Sequence, residues 1–298
     1  MKLTIHTATY NRAYILGQAY ESLRAQTCKD FEWIITDDGS TDQTAELVRR
    51  WQQQDNGFPI IYNPLPHVGL PRAINAGVML AAGAWFMRLD SDDRLVARAV
   101  EQILKWIAEI EEQEKFVGVG FARVQPDGCF MKKQIPAIDP KIGYVDCTNI
   151  ERPKYNLDMD MCEAERTSLL REYPHWCWPT EKFAPEQLNH NEMALAGYQY
   201  RWRTEKLYIC DYLQDGLTKQ DTIVKQNPMG YAMMHNQNML IQKTFREKLY
   251  SAMQMTALSM YAGNFSYLKE TNCMLATVLS FPLGIALSIR RRLQYAKM

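Results

Sequence analysis

The spacing of apolar residues alternates between two periods over residues 1–124. Leu3 to Thr7 is a short apolar run of the kind a buried strand leaves. In Ala13 to Ala25 the residues Leu16, Ala19, Tyr20 and Leu23 recur at helical spacing. Phe31 to Thr36 is aromatic and β-branched, which predicts a second strand. The turn cluster Asp37-Asp38-Gly39-Ser40 ends it, and Thr41 or Asp42 can cap a helix whose apolar face is Leu47, Val48 and Trp51. Phe58 to Tyr62 is a third strand. After the proline-rich loop Asn63 to Leu70, Pro71 suits the first turn of a helix that ends at Ala82-Gly83. Trp85 to Leu89 is a fourth strand, stopped by Asp90-Ser91-Asp92-Asp93. A long helix is expected from about Arg94, with Val96, Ala99, Ile103, Ile107 and Ile110 on one face, and Phe116 to Val124 closes this half as another strand.

Such alternation predicts an α/β fold with a mostly parallel central sheet and helices on both faces. Ligands of these sheets bind beyond the carboxyl ends of the strands. Thr9-Tyr10-Asn11, Asp37 to Ser40 and Asp90 to Asp93 all fall at such ends, so they should converge on one edge. From Gln125 to about Thr180 the pattern is broken by Pro126, Pro136, Pro140, Pro153, Pro174 and Pro179, and loops, short strands and lids are expected. Phe183 to Tyr200 is expected to be helical, Leu207 to Tyr212 a strand, and Asn238 to Tyr261 and Phe265 to Arg292 helical again.

Composition narrows the partners. The 298 residues are 47% apolar and 23% charged, enough for an ordinary core. Lys plus Arg equals Asp plus Glu at 34 each, which argues against nucleic acid as a partner. The seven cysteines form no Cys-x-x-Cys pair and are expected to be reduced thiols. No apolar run follows Met1, and the expected location is cytoplasmic.

Asp90 to Asp93 carries three carboxylates in four residues. Charges so close repel unless a cation or a hydrogen-bond network offsets them. Hard divalent ions prefer such oxygens and bind phosphates through their remaining positions. An acidic cap on the helix expected near Arg94 is the other reading.

Taken together, the motifs resemble family 2 glycosyltransferases of the GT-A fold. The matching residues are Thr7-Ala8-Thr9-Tyr10-Asn11-Arg12, Gln26-Thr27, Phe31 to Asp42, Asn75-Ala76-Gly77, Ala82-Gly83 and Asp90 to Asp93. The resemblance implies a nucleotide-sugar-binding half over 1–124, an acceptor and catalytic-base half over 125–222, and a C-terminal helical extension over 223–298. Tyr10, beside Thr9, resembles the residue that packs on the nucleotide base. Asp38 resembles the carboxylate that accepts from the uracil imide, which favours a UDP-sugar. Asp90, followed by Ser91, resembles the residue near the ribose. Asp92 and Asp93 resemble the ligands of Mn²⁺ or Mg²⁺. Arg72 and Asn75 lie on the helix that would face the nucleotide, Arg72 either pairing with phosphate or staying solvated. Asn11 either shapes the strand-end turn or touches ligand.

An inverting transferase needs a carboxylate to take the acceptor's proton. Thr180 to Gln187 resembles the Pro-Glu form of the family's base motif, which makes Glu186 the expected base, Glu181 the runner-up and Glu192 a weaker choice. Asp158 and Asp160 form a second Asp-x-Asp but are expected to be loop charges. Lys206 to Thr218 resembles the exopolysaccharide and lipopolysaccharide branch, with its Tyr-x-x-Asp-Gly-Leu-Thr turn over Tyr212 to Thr218. His235 either approaches the diphosphate or is an ordinary helix histidine. Trp176 and Trp178 either stack on an acceptor sugar or pack in a core.

Leu275 to Ile289 is apolar and is followed by Arg290, Arg291 and Arg292. These fifteen residues fall short of the ~20 that a bilayer crossing takes. Residues 275–292 are expected to lie in a membrane interface, or else to dock on protein. The implied activity is inverting transfer from a nucleotide-sugar to a saccharide or lipid-linked saccharide, at the inner face of the membrane if that helix meets lipid. A nucleotidyltransferase and a non-catalytic nucleotide-sugar-binding relative are the alternatives. The first lacks its glycine-rich loop here, where Thr9 to Arg12 stands.

Overall fold

The structure, a computed structural model, describes residues 2–132, 135–210 and 222–296. The chain forms two compact units. One comprises Met1–Pro174 with His190–Leu213, the other His175–Asn189 with Gln214–Met298.

The first unit holds ten strands among the described residues: β1 (Leu3–Thr9), β2 (Phe31–Asp37), β3 (Ile60–Pro64), β4 (Trp85–Arg88), β5 (Arg94–Leu95), β6 (Phe116–Val124), β7 (Val145–Cys147), β8 (Met161–Arg166), β9 (Gln199–Trp202) and β10 (Tyr208–Ile209). One side of the sheet runs β3-β2-β1-β4, all parallel. Next comes β8, antiparallel to both β4 and β6. Beyond β6 lie β10, parallel to it, and β5, antiparallel to β10, while β9 pairs with β6 and with β7.

Alternation of side chains across each strand supplies two cores. Phe31, Trp33 and Ile35 of β2 face α1 (Gly17–Arg24), α2 (Thr44–Gln52) and α4 (Ala99–Ala108), where Leu23, Trp51 and Ile103 are buried. Ile34 faces the opposite side, with Ile74 and Val78 of α3 (Leu70–Leu80) and Leu169 of α5 (Thr167–Glu172). Gly77 of α3 is needed there, because a Cβ would stand 2.2 Å from the ring of the buried His6.

Several elements depart from the sequence expectation. The helix expected near Arg94 starts at Ala99, because Arg94 and Leu95 pair with Ile209 and Tyr208 instead. Asp90 to Asp93 therefore caps no helix. Phe183 to Tyr200 divides into α6 (Gln187–Leu195) and β9, with Gly197 between them at φ 93°. The N-cap of α2 is Gln43, not Thr41 or Asp42, and carries no side-chain cap bond, while Asp42 Oδ1 one residue earlier accepts from the Thr44 amide at 3.0 Å. Strand β8 falls where short strands are expected, though the broken pattern does not place it. The turn expected over Tyr212 to Thr218 lies outside the described residues.

The second unit is helical, with α7 (Ile223–Gln226), α8 (Pro228–Ile241), α9 (Phe245–Tyr261) and α10 (Met274–Tyr295). Its core is Met229, Ala232, Met239, Ala252, Met255, Leu258 and Ala276. The single helix expected over Asn238 to Tyr261 is two, broken where Thr244 and Glu247 form a capping box. Helix α10 is 22 residues, longer than its uncharged run.

Candidate active site

In the parallel part of the sheet the carboxyl ends of β1, β2 and β4 share one edge. The Asp38 amide donates to the Thr9 carbonyl at 2.8 Å, and the Leu89 amide to that of His6 at 2.8 Å. Thr9 is buried while Tyr10 is 43% exposed. Asn11 takes a left-handed φ of 53°. Its carboxamide oxygen accepts from the Thr41 amide at 2.8 Å, and its own amide donates to Ser40 Oγ at 2.8 Å. These bonds tie the turn after β1 to the turn after β2. Asp37 adds to the brace, accepting from the Ser40 amide at 2.8 Å and from Tyr62 at 2.5 Å.

Asp38 is buried and its carboxylate is already engaged. It accepts from the Val68 amide at 2.6 Å and the Gly69 amide at 3.0 Å, and lies 2.9 Å from His67 Nδ1. The His67 ring is stacked on Tyr10. Arg72 and Asn75 are half-buried on α3, and Arg72 donates to the Val68 carbonyl at 2.8 Å. These residues gather at the loop between β3 and α3, where Gly69 at φ 96° lets the helix begin.

The aspartates follow β4. Ser91 and Asp93 are buried, Asp90 and Asp92 half-buried. Burial, then the neighbouring Asp90 charge, pushes the Asp93 carboxyl up to about 7. Arg123 opposes this. Its guanidinium donates to Asp90 at 2.6 Å, stands 3.8 Å from Asp93 and lies over the Tyr208 ring at 4.5 Å. Tyr208 in turn accepts from the Asp90 amide through its hydroxyl at 2.9 Å. Arg12 reaches within 3.7 Å of Asp92. Arg123, Tyr208 and His67 are neighbours of the candidate residues that motif reasoning missed. The signal for Arg123 was there, a lone charge inside the apolar run Phe116 to Val124.

These residues suit a divalent ion. A cation beside Asp92 and Asp93 would offset the Asp90 charge that, after burial, raises the Asp93 carboxyl. Among the described residues no group of three or more His, Cys, Asp or Glu is set to hold one ion. Two carboxylates with phosphate and water completing the shell is the arrangement Mg²⁺ commonly accepts.

In the second unit Glu186 is half-buried and immediately precedes α6. Glu181 is buried and accepts from the Met229 and Gly230 amides at 2.7 and 2.8 Å. It therefore caps α8. Trp178 packs edge-on against Tyr267 at 5.5 Å, whereas Trp176 is 47% exposed. His235 lies on α8 beside Tyr250. In the first unit Asp158 pairs with Lys132 at 2.8 Å.

Comparison with known proteins adds a family. The model of glycosyl transferase family 2 matches residues 4–173. An uncharacterized glycosyltransferase of Nostoc sp. is 28% identical over 80% of this chain and 66% of its own length. A GalNAc(5)-diNAcBac-PP-undecaprenol β-1,3-glucosyltransferase of Campylobacter jejuni is 32% identical over 35% of this chain and 34% of its own length. The chain thus spans less than two thirds of these curated relatives. Among solved structures, S. aureus TarS 1-349 in complex with UDP-GlcNAc superposes with a TM-score of 0.57 at 18% identity, covering 87% of this chain and 71% of that one. The mannosyltransferase of Pyrobaculum calidifontis in complex with GDP-Man and Mn²⁺ gives 0.56 at 16% identity, covering 97% and 80%. The fold is that of these GT-A enzymes.

Proposed function

The chain belongs to glycosyl transferase family 2, and from that premise we propose that it transfers a sugar, with inversion, from a nucleotide-diphosphate sugar to a saccharide or lipid-linked saccharide acceptor. A UDP-sugar is the favoured donor and cell-surface polysaccharide the favoured product. The observation that carries this reading is the shared edge of β1, β2 and β4, which brings together a part-exposed aromatic ring, a buried carboxylate and an acidic cluster from three neighbouring parallel strands.

On this reading Tyr10 stacks on the base and Asp38 accepts from it, with Thr9 and Asn11 shaping the turn around them. Asp90 and Ser91 meet the ribose, and Arg72 and Asn75 face the nucleotide. Asp92 and Asp93 would hold Mn²⁺ or Mg²⁺, which supplies positive charge against the diphosphate when bound. Glu186 takes the proton of the acceptor hydroxyl as its oxygen bonds the anomeric carbon and the bond to the diphosphate breaks. Glu186 is preferred to Glu181 because Glu181 is committed to two helix amides. The Campylobacter relative is named for an undecaprenol-linked substrate, and a similar acceptor would put the reaction at the inner face of the membrane.

The test is a turnover assay of the purified chain with UDP- and GDP-sugars and Mn²⁺, beside Glu186→Gln. Transfer should fall by roughly 10²–10⁴-fold in the variant, with calorimetric affinity for the donor nucleotide retained. Normal turnover in the variant removes Glu186 from the mechanism. No nucleotide binding to the parent chain removes the donor site itself.

A further inference from the structure

Helix α10 is turned inside out relative to a helix that faces a protein core. Its buried positions are Ala276, Thr277, Ser280, Gly284 and Ser288, all small, and the last three follow Ala276 at intervals of four. They pack on α9, closely enough that a Cβ at Gly284 would stand 2.6 Å from Thr256 Cγ2. The large apolar residues point the other way. Leu275, Val278, Leu279, Leu283, Ile289 and Leu293 are each 55–64% exposed. A helix in water buries its leucines and exposes its serines. Small residues against protein with leucines outward is the pattern of a helix whose outer face meets hydrocarbon.

Charge favours lipid over a second copy of the chain. Met274 to Ile289 has no charged residue, and Arg290, Arg291 and Arg292 follow at once. Arg290 is exposed, and Arg292 is exposed while bonded to the Met260 carbonyl at 2.8 Å. No Asp or Glu occurs in Met274–Tyr295. Parallel self-pairing of α10 would bring arginines together, and in either orientation the helix has no carboxylate to meet them, whereas anionic headgroups supply that charge.

Length alone would let α10 cross a bilayer, since its 22 residues carry a mean hydropathy of 1.3 over the best window. Packing argues otherwise. From Ala276 to Ser288 one side is covered by α9, which also buries Ser251, Gln254, Thr256 and Ser259. A helix so covered has one face left for lipid.

We propose that α10 docks the protein on an anionic membrane surface, with Leu275, Leu279 and Leu283 immersed and Arg290 and Arg292 at the headgroups. This surface does not depend on the transferase reading, and its test needs no donor or acceptor. The full chain is floated with vesicles of phosphatidylcholine alone and with added phosphatidylglycerol. The parent chain should float with both and more with the anionic vesicles. Leu279→Gln with Leu283→Gln should lower partitioning by more than about tenfold, with an unchanged melting temperature because both sites are exposed. Arg290→Gln should reduce only the added binding to anionic vesicles. A parent chain that stays unbound overturns the proposal. So does the double variant floating like the parent. A parent dimer in analytical ultracentrifugation that the leucine changes dissociate would assign the face to a second copy instead.

Discussion

The imidazole of His67 lies flat on the ring of Tyr10, centroids 4.2 Å apart and planes within 15°, while its Nδ1 stands 2.9 Å from Asp38 Oδ2. Tyr10 and Asp38 are the two residues proposed to stack on and hydrogen-bond a nucleotide base. His67 makes both kinds of contact with them, and a base that uses the same groups must displace it. Removing the ring should therefore help the donor. An aromatic pair is worth about 0.5–1.5 kcal/mol, so His67→Ala should bind UDP roughly two- to tenfold more tightly by calorimetry. Weaker binding in the variant would mean that His67 forms part of the base pocket.

The acidic cluster makes a separate prediction about metal. Asp92→Asn with Asp93→Asn should abolish the gain in UDP affinity that Mn²⁺ confers, with binding in EDTA unchanged. A persisting Mn²⁺-dependent gain would place the ion elsewhere.

Arg123 answers the same carboxylates from β6. Its removal leaves Asp90 and Asp93 with less opposing charge. Asp90 is half exposed, so water softens the cost. Arg123→Gln should lower stability by about 2 kcal/mol, read by urea denaturation. Added Mn²⁺ should restore part of the loss in the variant and add less to the parent.

How far such relationships could be foreseen depended on what each strand hides. Strands β1, β2 and β4 are apolar runs that stop at turn residues, so their ends, and with them Tyr10, Asp38 and Asp90, were legible. Strand β8 was not. Its sequence Met-Cys-Glu-Ala-Glu-Arg carries Glu163 and Glu165, both buried, and Glu165 is satisfied by the Tyr200 hydroxyl at 2.6 Å. A buried carboxylate with a distant partner looks in sequence like a surface one. Arg94 and Leu95 form β5 only because Tyr208 and Ile209 lie beside them, a pairing no local pattern encodes. Helix α10 was legible as an apolar run with a basic end but its facing was not, since its protein-facing stripe is made of serine, threonine, alanine and glycine.

The two glutamates before α6 should separate cleanly. Glu181 bonds the first amides of α8, and Gly230 there packs so closely that a Cβ would stand 2.7 Å from the Phe183 carbonyl. Glu181→Gln should cost about 1–2 kcal/mol in thermal or urea unfolding, and surviving molecules should retain transferase turnover. Glu186→Gln should do the reverse, losing turnover with little change in stability. If Glu181→Gln loses turnover at full stability, the base is Glu181.

His235 makes the helical unit sensitive to acid. Burial, with the Arg291 guanidinium adding to it, lowers its imidazole from 6.5 to about 4, and its Nδ1 is buried with no hydrogen-bond partner. The ring packed edge-on against it is that of Tyr250. The folded state thus binds this proton less readily than the unfolded chain. Stability from this residue is intact above the unfolded value and is lost as pH falls from about 6.5 toward 4. By pH 5 the loss should reach about 2 kcal/mol. Urea unfolding at pH 7.5 and pH 5 should show this drop in the parent chain. His235→Gln should remove that part of the slope while leaving the contribution of the carboxylates. Equal slopes in the two proteins would mean that His235 is charged in the folded state.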